Sequence, residues 1–158
     1  MRLSAVPIAL ALLLIPGCAK KPIVAPPEPV VMTVEVRAEP SQANVTFHGK
    51  SVGATPQSLG LASNDDLLSI DASRENDSVV EKRIRFLSLN KGEVVFVFAS
   101  GHSAMAKALG FPRILVFDYG AGLTFDVDKF DLKAQFLPFL DQQASMLKKY
   151  FPGLDVYV

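Results

Sequence analysis

The stretch Val79-Val80-Glu81-Lys82-Arg83-Ile84-Arg85-Phe86-Leu87, followed after a short polar turn by Glu93–Ala99, decides the fold. Both halves are rich in β-branched and aromatic residues, which fit the pleated surface of a sheet. Asn90-Lys91-Gly92 between them is a turn sequence. The stretch therefore predicts two neighbouring strands, Val79–Leu87 and Glu93–Ala99.

Upstream of this pair, short apolar segments alternate with glycine and proline turns. Predicted strands are Val31–Val36, Ala43–Phe47 and Leu67–Ile70, with turns at 38–41, 48–50 and 52–56. Short strands at this spacing are typical of a small β-sandwich, so residues 31–99 are predicted to form one.

Downstream, the pattern changes to a mixture of strand and helix. Residues 100–112 are predicted to be a connector. Arg113–Phe117 is predicted to be a strand, and Leu123–Lys129 a second strand with the turn that follows it. A helix then follows, with apolar residues at three- and four-residue spacings: Phe136, Leu140, Ala144, Leu147 and Phe151. Pro152-Gly153 ends it and Leu154–Val158 begins another strand, so the fold class is α+β, a sandwich followed by a β-α-β unit at 113–158.

This C-terminal unit is below the size that usually buries enough apolar surface to fold alone. Its helix needs a sheet to cover, and its last strand has an unpaired edge. We therefore expect residues 113–158 to be marginally stable, to dock on the β unit, or to be completed by further sequence.

The N-terminus has the parts of a secretory signal. Arg2 precedes an apolar run, Ala5–Ile15, that is shorter than the roughly 20 residues needed to span a bilayer. The run ends in Leu14-Ile15-Pro16-Gly17-Cys18. This string resembles the lipobox of bacterial lipoproteins, which implies a signal peptide at 1–17, cleavage after Gly17 and lipid on Cys18. The alternatives are an ordinary secretory signal with a chance cysteine, or a buried free thiol.

Residues 18–30 follow as the lipidated cysteine and a proline-rich linker, which favours an extended spacer. In the lipoprotein family an aspartate directly after the cysteine marks retention at the inner membrane. Ala19 stands there, so the resemblance implies a lipid-anchored protein of the outer membrane, facing the periplasm.

Composition restricts the partners and the chemistry. Lys+Arg and Asp+Glu both number 16, so the net charge of zero gives no electrostatic reason to expect nucleic acid as a partner. Cys18 is the sole cysteine, which excludes an internal disulfide and any site built from several cysteines. No cofactor and no metal site are expected.

Within the β unit, Pro40-Ser41-Gln42-Ala43, Gly49 and Gly53-Ala54-Thr55-Pro56 resemble the PEGA domain family, although Gln42 replaces that family's glycine. The later glycine and tyrosine positions of the family are not recognisable between Ser63 and Ser78. The resemblance implies a non-catalytic β module over residues 31–99, whose ligand it does not identify.

The C-terminal unit, with Thr124–Leu132 and Phe151–Val158 on either side of its helix, resembles the first half of an OmpA-like domain. The family continues with an aspartate and an arginine that clamp the diaminopimelate of peptidoglycan, and this chain ends before either position. The loop after the first strand borders the family's pocket, which indicates Asp126 and Asp128 as peptidoglycan-side candidates. The alternative is that both are solvated turn and cap residues.

One segment resembles a catalytic motif. An apolar strand leads into Gly101-His102-Ser103, as in the nucleophile elbow of hydrolases. The motif needs a second glycine where Met105 stands and a histidine later in the chain, and none follows His102. No catalytic residue is therefore expected.

The sequence thus predicts a non-enzymatic outer-membrane lipoprotein that links the membrane to the cell wall, with its wall-binding half truncated. The alternative is an adaptor whose PEGA-like domain binds another envelope protein, with a vestigial C-terminal segment.

Overall fold

The structure is a computed structural model that describes residues 31–40 and 42–153. The predicted signal peptide with Gly17, the lipid site Cys18, the linker and the predicted strand Leu154–Val158 lie outside the described residues. Within the described ranges the chain is mixed α+β with two sheets, which confirms the predicted fold class at that level.

Eight strands follow one another along the described chain. They are β1 (Met32–Glu39), β2 (Asn44–Phe47), β3 (Lys50–Ala54), β4 (Gln57–Leu61), β5 (Ile70–Ser73), β6 (Val79–Ser88), β7 (Lys91–Phe98) and β8 (Ile114–Tyr119). The first sheet has five strands in the order β4-β1-β7-β6-β8, and the second has three in the order β3-β2-β5.

The two neighbouring strands predicted from the opening stretch are the hairpin of β6 and β7, and each pairs with a further strand of the first sheet. The two strands are antiparallel, with Ile84 opposite Val94. A strand from each end of the chain then adds to the hairpin in parallel, β1 to β7 and β8 to β6. Because neighbouring residues in a strand face opposite sides, Ile84 and Phe86 point into the core while Arg83 and Arg85 point outward.

The core lies on the inner face of the first sheet, where residues of both sheets are buried. Its fully buried members include Val34, Val36, Val45, Ile70, Ile84, Phe86, Val94, Phe96 and Phe98. Burying each of these side chains contributes about 1.5–3 kcal/mol, so this layer is the main source of the fold's stability.

The predicted strand Leu67–Ile70 is wrong in its boundaries. Residues Asn64–Ser69 form a 3-10 helix, and the strand runs from Ile70 to Ser73. The Asp66 carboxylate accepts hydrogen bonds from the backbone N–H groups of Ala62 and Ser63, both at 2.9 Å. These bonds give the backbone before Leu67 a local alternative to strand pairing.

The predicted strand Leu123–Lys129 is also wrong. Helix α2 occupies Ala121–Thr124, and a single bridge joins Phe125 to Leu132. The backbone N–H of Lys129 bonds the carbonyl of Asp126 at 3.2 Å, so this segment closes on itself as a loop.

The connector contains helix α1 (Ala104–Leu109), and helix α3 (Leu137–Tyr150) agrees with the predicted C-terminal helix. Pro138 lies in the first turn of α3, where a backbone N–H has no partner within the helix and its loss costs nothing. Lys148 and Lys149 lie in the last turn, where their positive charges interact favourably with the helix dipole.

The C-terminal segment docks on the β unit, which is one of the three outcomes expected for it. Strand β8 is the fifth strand of the first sheet, and Phe136 and Phe139 belong to the same core cluster as Phe86. The Phe139 ring meets the Phe86 ring edge-on, with centroids 5.0 Å apart. At the far end of the helix, Lys149 Nζ lies 2.8 Å from the carboxylate of Asp65.

Candidate functional site

Ser103, the residue of the hydrolase-like motif, caps helix α1. Its Oγ accepts a hydrogen bond from the backbone N–H of Ala106 at 3.0 Å and donates one to the carboxylate of Glu81. In the described part of the chain no hydrogen bond joins His102 to Ser103. The hydroxyl is therefore committed to a helix cap and to a carboxylate, which is the geometry of a structural serine.

Gly101 of the same motif has a packing role. A Cβ placed on it would lie 2.7 Å from the carbonyl oxygen of Glu39 at the end of β1. That separation is far below van der Waals contact, so only glycine lets the chain pass this close to β1. The residues that resemble a nucleophile elbow thus have structural explanations: Gly101 lets the chain pass close to β1, and Ser103 caps helix α1.

A cleft of about 580 Å³ lies where α1 meets the outer face of the first sheet. The register places Glu39, Val97 and Glu81 side by side on β1, β7 and β6. Glu81 is fully buried, and Arg83 Nη2 is paired with its Oε1 while Ser103 Oγ bonds its Oε2. Because a buried carboxylate is stable only when compensated, the three side chains act together to hold α1 on the sheet.

The rest of that outer face carries charges of alternating sign. Arg37 pairs with Glu93 at 3.2 Å, and Arg85 pairs with Asp118 on β8 at 2.8 Å. The arginines and carboxylates alternate across the strands, so this face has no basic patch. Exposed pairs of this kind contribute little to stability, about 0–1 kcal/mol each, and they describe a solvated surface.

Asp126 and Asp128, the predicted peptidoglycan-side candidates, lie in the loop between α2 and α3. The side chain of Asp126 is 60 % exposed, and its Oδ1 lies 3.4 Å from Lys133 Nζ. Asp128 is exposed and adopts the left-handed conformation with φ 58°, as turn aspartates do. Neither residue lines the cleft, and within the described residues the two do not converge on an arginine. Their geometry agrees with the alternative given above, in which both are solvated turn and cap residues.

The same loop displays apolar side chains that the sequence analysis missed. We call residues Phe125–Lys133 the Phe130 loop. Phe130 is 95 % exposed and Val127 is 89 % exposed, and Phe125 and Leu132 at the base of the loop are about 40 % exposed. The sequence signal for this exposure is Asp128-Lys129-Phe130-Asp131. An aromatic residue with charged residues on both sides does not fit the apolar and polar alternation of a half-buried strand.

Lys82 lies on the inner face of β6. Its ammonium donates hydrogen bonds to the carbonyls of Ile70, at 2.5 Å, and of Leu68, at 3.3 Å. Burial lowers the pKa of Lys82 to about 8, opposed by the nearby Asp71 carboxylate and assisted by Arg113. The residue connects β6 to the 3-10 helix and β5, and solvent has little access to it.

Two further observations concern the described residues alone. No group of three or more His, Cys, Asp or Glu side chains in them is placed to hold a metal ion. None of their helices is long and apolar enough to cross a membrane.

Comparisons with known proteins give no match. No family model matches the chain, and no curated protein or solved structure is significantly similar to it.

Proposed function

We propose that this chain is a non-enzymatic lipoprotein of a bacterial outer membrane that connects the membrane to another component of the envelope. The observation that carries the proposal is the string Leu14–Cys18 at the end of a charged and apolar leader. The chain's one cysteine stands at the position where a lipobox requires it. Lipid on Cys18 would anchor the protein stably, because each buried CH₂ contributes about 0.8 kcal/mol.

The finer architecture belongs to the same proposal. The pattern from Pro40 to Pro56 supports a PEGA-like β module, and the string Thr124–Leu132 with the following helix supports an OmpA-like origin for the C-terminal segment. The shared core of the two parts is consistent with one docked module on a proline-rich tether.

The adaptor role is the one that the geometry supports best, with one change. The sequence hypothesis assigned the binding to the PEGA-like domain, whereas the supporting surface lies in the C-terminal segment that the hypothesis treated as vestigial. This surface is the Phe130 loop, whose exposed aromatic and aliphatic side chains suit a protein surface. The cell-wall role is the second candidate and is supported by the OmpA-like string. Binding a zwitterion such as diaminopimelate needs a carboxylate held opposite a bidentate cation, and Asp126 has only Lys133 close by.

Metabolic labelling with a palmitate analogue tests the anchor. The wild-type chain should incorporate the label and fractionate with outer membranes, whereas Cys18→Ser should lose the label and no longer fractionate with outer membranes. Label on the Cys18→Ser variant, or none on the wild type, would contradict the proposal.

Sedimentation with purified sacculi separates the two roles. A chain of residues 19–158, without the leader and the lipid site, should stay in the supernatant if the connection is to a protein. Co-sedimentation that Asp126→Asn and Asp128→Asn together abolish would favour direct binding to the wall.

A further inference from the structure

The Phe130 loop exposes large apolar groups that a solvated loop does not need. Leaving a phenylalanine in water forgoes the free energy of burying its ring, and Phe130 is 95 % exposed while Val127 is 89 % exposed. Single exposed apolar residues are common, but this short loop carries two that are almost fully exposed, three positions apart.

The base of the loop holds the tip in place. The backbone N–H of Lys133 bonds the carbonyl of Thr124 at 3.0 Å, and a bridge joins Phe125 to Leu132. Thr124, before the loop, and Phe136, after it, are buried, at 8 % and 1 % exposure. Because the tip is presented by a closed loop on a packed base, binding through it would order few additional groups.

The charges around the tip select among the surfaces that could cover it. The loop contains Asp126, Asp128 and Asp131 against Lys129 and Lys133, and Lys133 is turned towards Asp126. With three aspartates and two lysines the loop carries a net charge of −1, which anionic lipid headgroups repel and basic side chains complement. The face that fits is therefore a protein surface with an apolar pocket and a basic rim.

We infer that the Phe130 loop is a docking element that inserts Phe130 and Val127 into an apolar, basic-rimmed pocket on a second protein of the envelope. The location of the partner in the envelope rests on the proposed function. The chemistry of the partner's pocket rests on the exposed side chains and the charge of the loop itself. Phe130 supplies the anchor, and Asp128 and Asp131 pair with the basic rim.

A single-thiol photocrosslinker tests this. Lys129→Cys keeps both apolar residues and places a thiol between them, and lipidation leaves Cys18 without a free thiol. The variant is labelled with benzophenone maleimide in native envelopes permeabilised with EDTA and is then irradiated. Leu87→Cys, at a 58 % exposed position on β6, is the matched control site.

The expected result is a discrete protein adduct from position 129, absent from position 87, whose crosslinked peptide contains apolar and basic residues. Adding Phe130→Ala, or Asp128→Lys with Asp131→Lys, should lower the adduct about tenfold, because anchors and complementary charges dominate such contacts. Unchanged thermal midpoints would show that these exposed substitutions leave the fold intact.

Four results would overturn the inference: an adduct with phospholipid, an adduct with a second copy of the chain, no adduct, or one that survives both sets of substitutions. Failure of the proposed function is distinguishable, because the wild-type protein would then incorporate no palmitate label, whatever adduct position 129 gives.

Discussion

Lys82 shows how one residue can set a pH dependence for the fold. Burial lowers its pKa from 10.5 to about 8. In the unfolded chain the amine keeps its proton up to about pH 10.5, so between pH 8 and 10.5 the unfolded state binds more protons than the folded state. The contribution of Lys82 to the free energy of unfolding therefore rises with pH between pH 8 and 10.5. Below pH 8 the side chain stays charged in the folded state, and burying the ammonium destabilises the fold by its full amount.

Lys82→Met tests this linkage. Between pH 7 and pH 10 the free energy of unfolding of the wild type should rise relative to that of the variant by about 2–3 kcal/mol. At pH 10 the buried amine of Lys82 has lost its proton, whereas most of the unfolded chain keeps it. Urea unfolding at the two pH values measures the difference. Lys148→Met, which removes an exposed lysine, is the control for the loss of one charge, and a pH-independent difference for Lys82→Met would refute the linkage.

At the scale of the element, helix α3 carries an unfavourable group on its buried face. Gln143 lies between Phe139 and Met146 on that face and is 2 % exposed. Neither its Nε2 nor its Oε1 has a hydrogen-bond partner within residues 31–40 and 42–153. A buried polar group without a partner costs about 1–3 kcal/mol, so α3 docks less tightly than its aromatic contacts allow.

Gln143→Leu should therefore stabilise the protein by about 1–3 kcal/mol, because it replaces the amide with an apolar group of similar volume. A higher urea midpoint with an unchanged m-value would measure this. Gln142→Leu is the matched control, since Gln142 accepts a hydrogen bond from Asn64 Nδ2 at 2.9 Å and its loss should not stabilise. An unchanged or lower midpoint for Gln143→Leu would show that the amide is satisfied.

The elements also show which parts of the fold the sequence could predict. The β-branched and aromatic content of β6 and β7 and the three- and four-residue spacing in α3 are local patterns, so the sequence predicts these three elements to within two residues of their ends. The predicted turn at 90–92 is too long, because Lys91 and Gly92 belong to β7. The parallel pairings of β1 with β7 and of β8 with β6 join residues distant in sequence, and no local pattern encodes them. At the site, the turn character of Asp128 could be predicted. The charged neighbours of Phe130 were a signal of its exposure, but no local pattern states that the rest of the fold leaves its ring uncovered.

At the scale of the whole molecule, the two predicted parts share one core. Phe86 of β6 and Phe139 of α3 are in direct ring contact. Strand β8 pairs with β6 as the edge strand of the first sheet. A shared core predicts that the described residues unfold in one cooperative transition.

Phe139→Ala tests this cooperativity. It should cost about 3 kcal/mol through the cavity it leaves. Native-state hydrogen exchange of the Val34 and Val94 amides, on β1 and β7, should report the same loss as the amides of α3. Phe130→Ala, at a 95 % exposed position, should change neither. Protection lost only in α3 would mean that the C-terminal segment opens by itself.

The parallel pairing of β1 with β7 also has a kinetic consequence. Val36 of β1 lies beside Val94 of β7, so the first sheet cannot assemble before most of the chain is available. Sheets that depend on such distant pairings have high contact order and form slowly. For the exported lipoprotein that we propose, this delay would be an advantage, because the leading strands would find no complete sheet to fold into and the chain would stay narrow enough to cross a membrane.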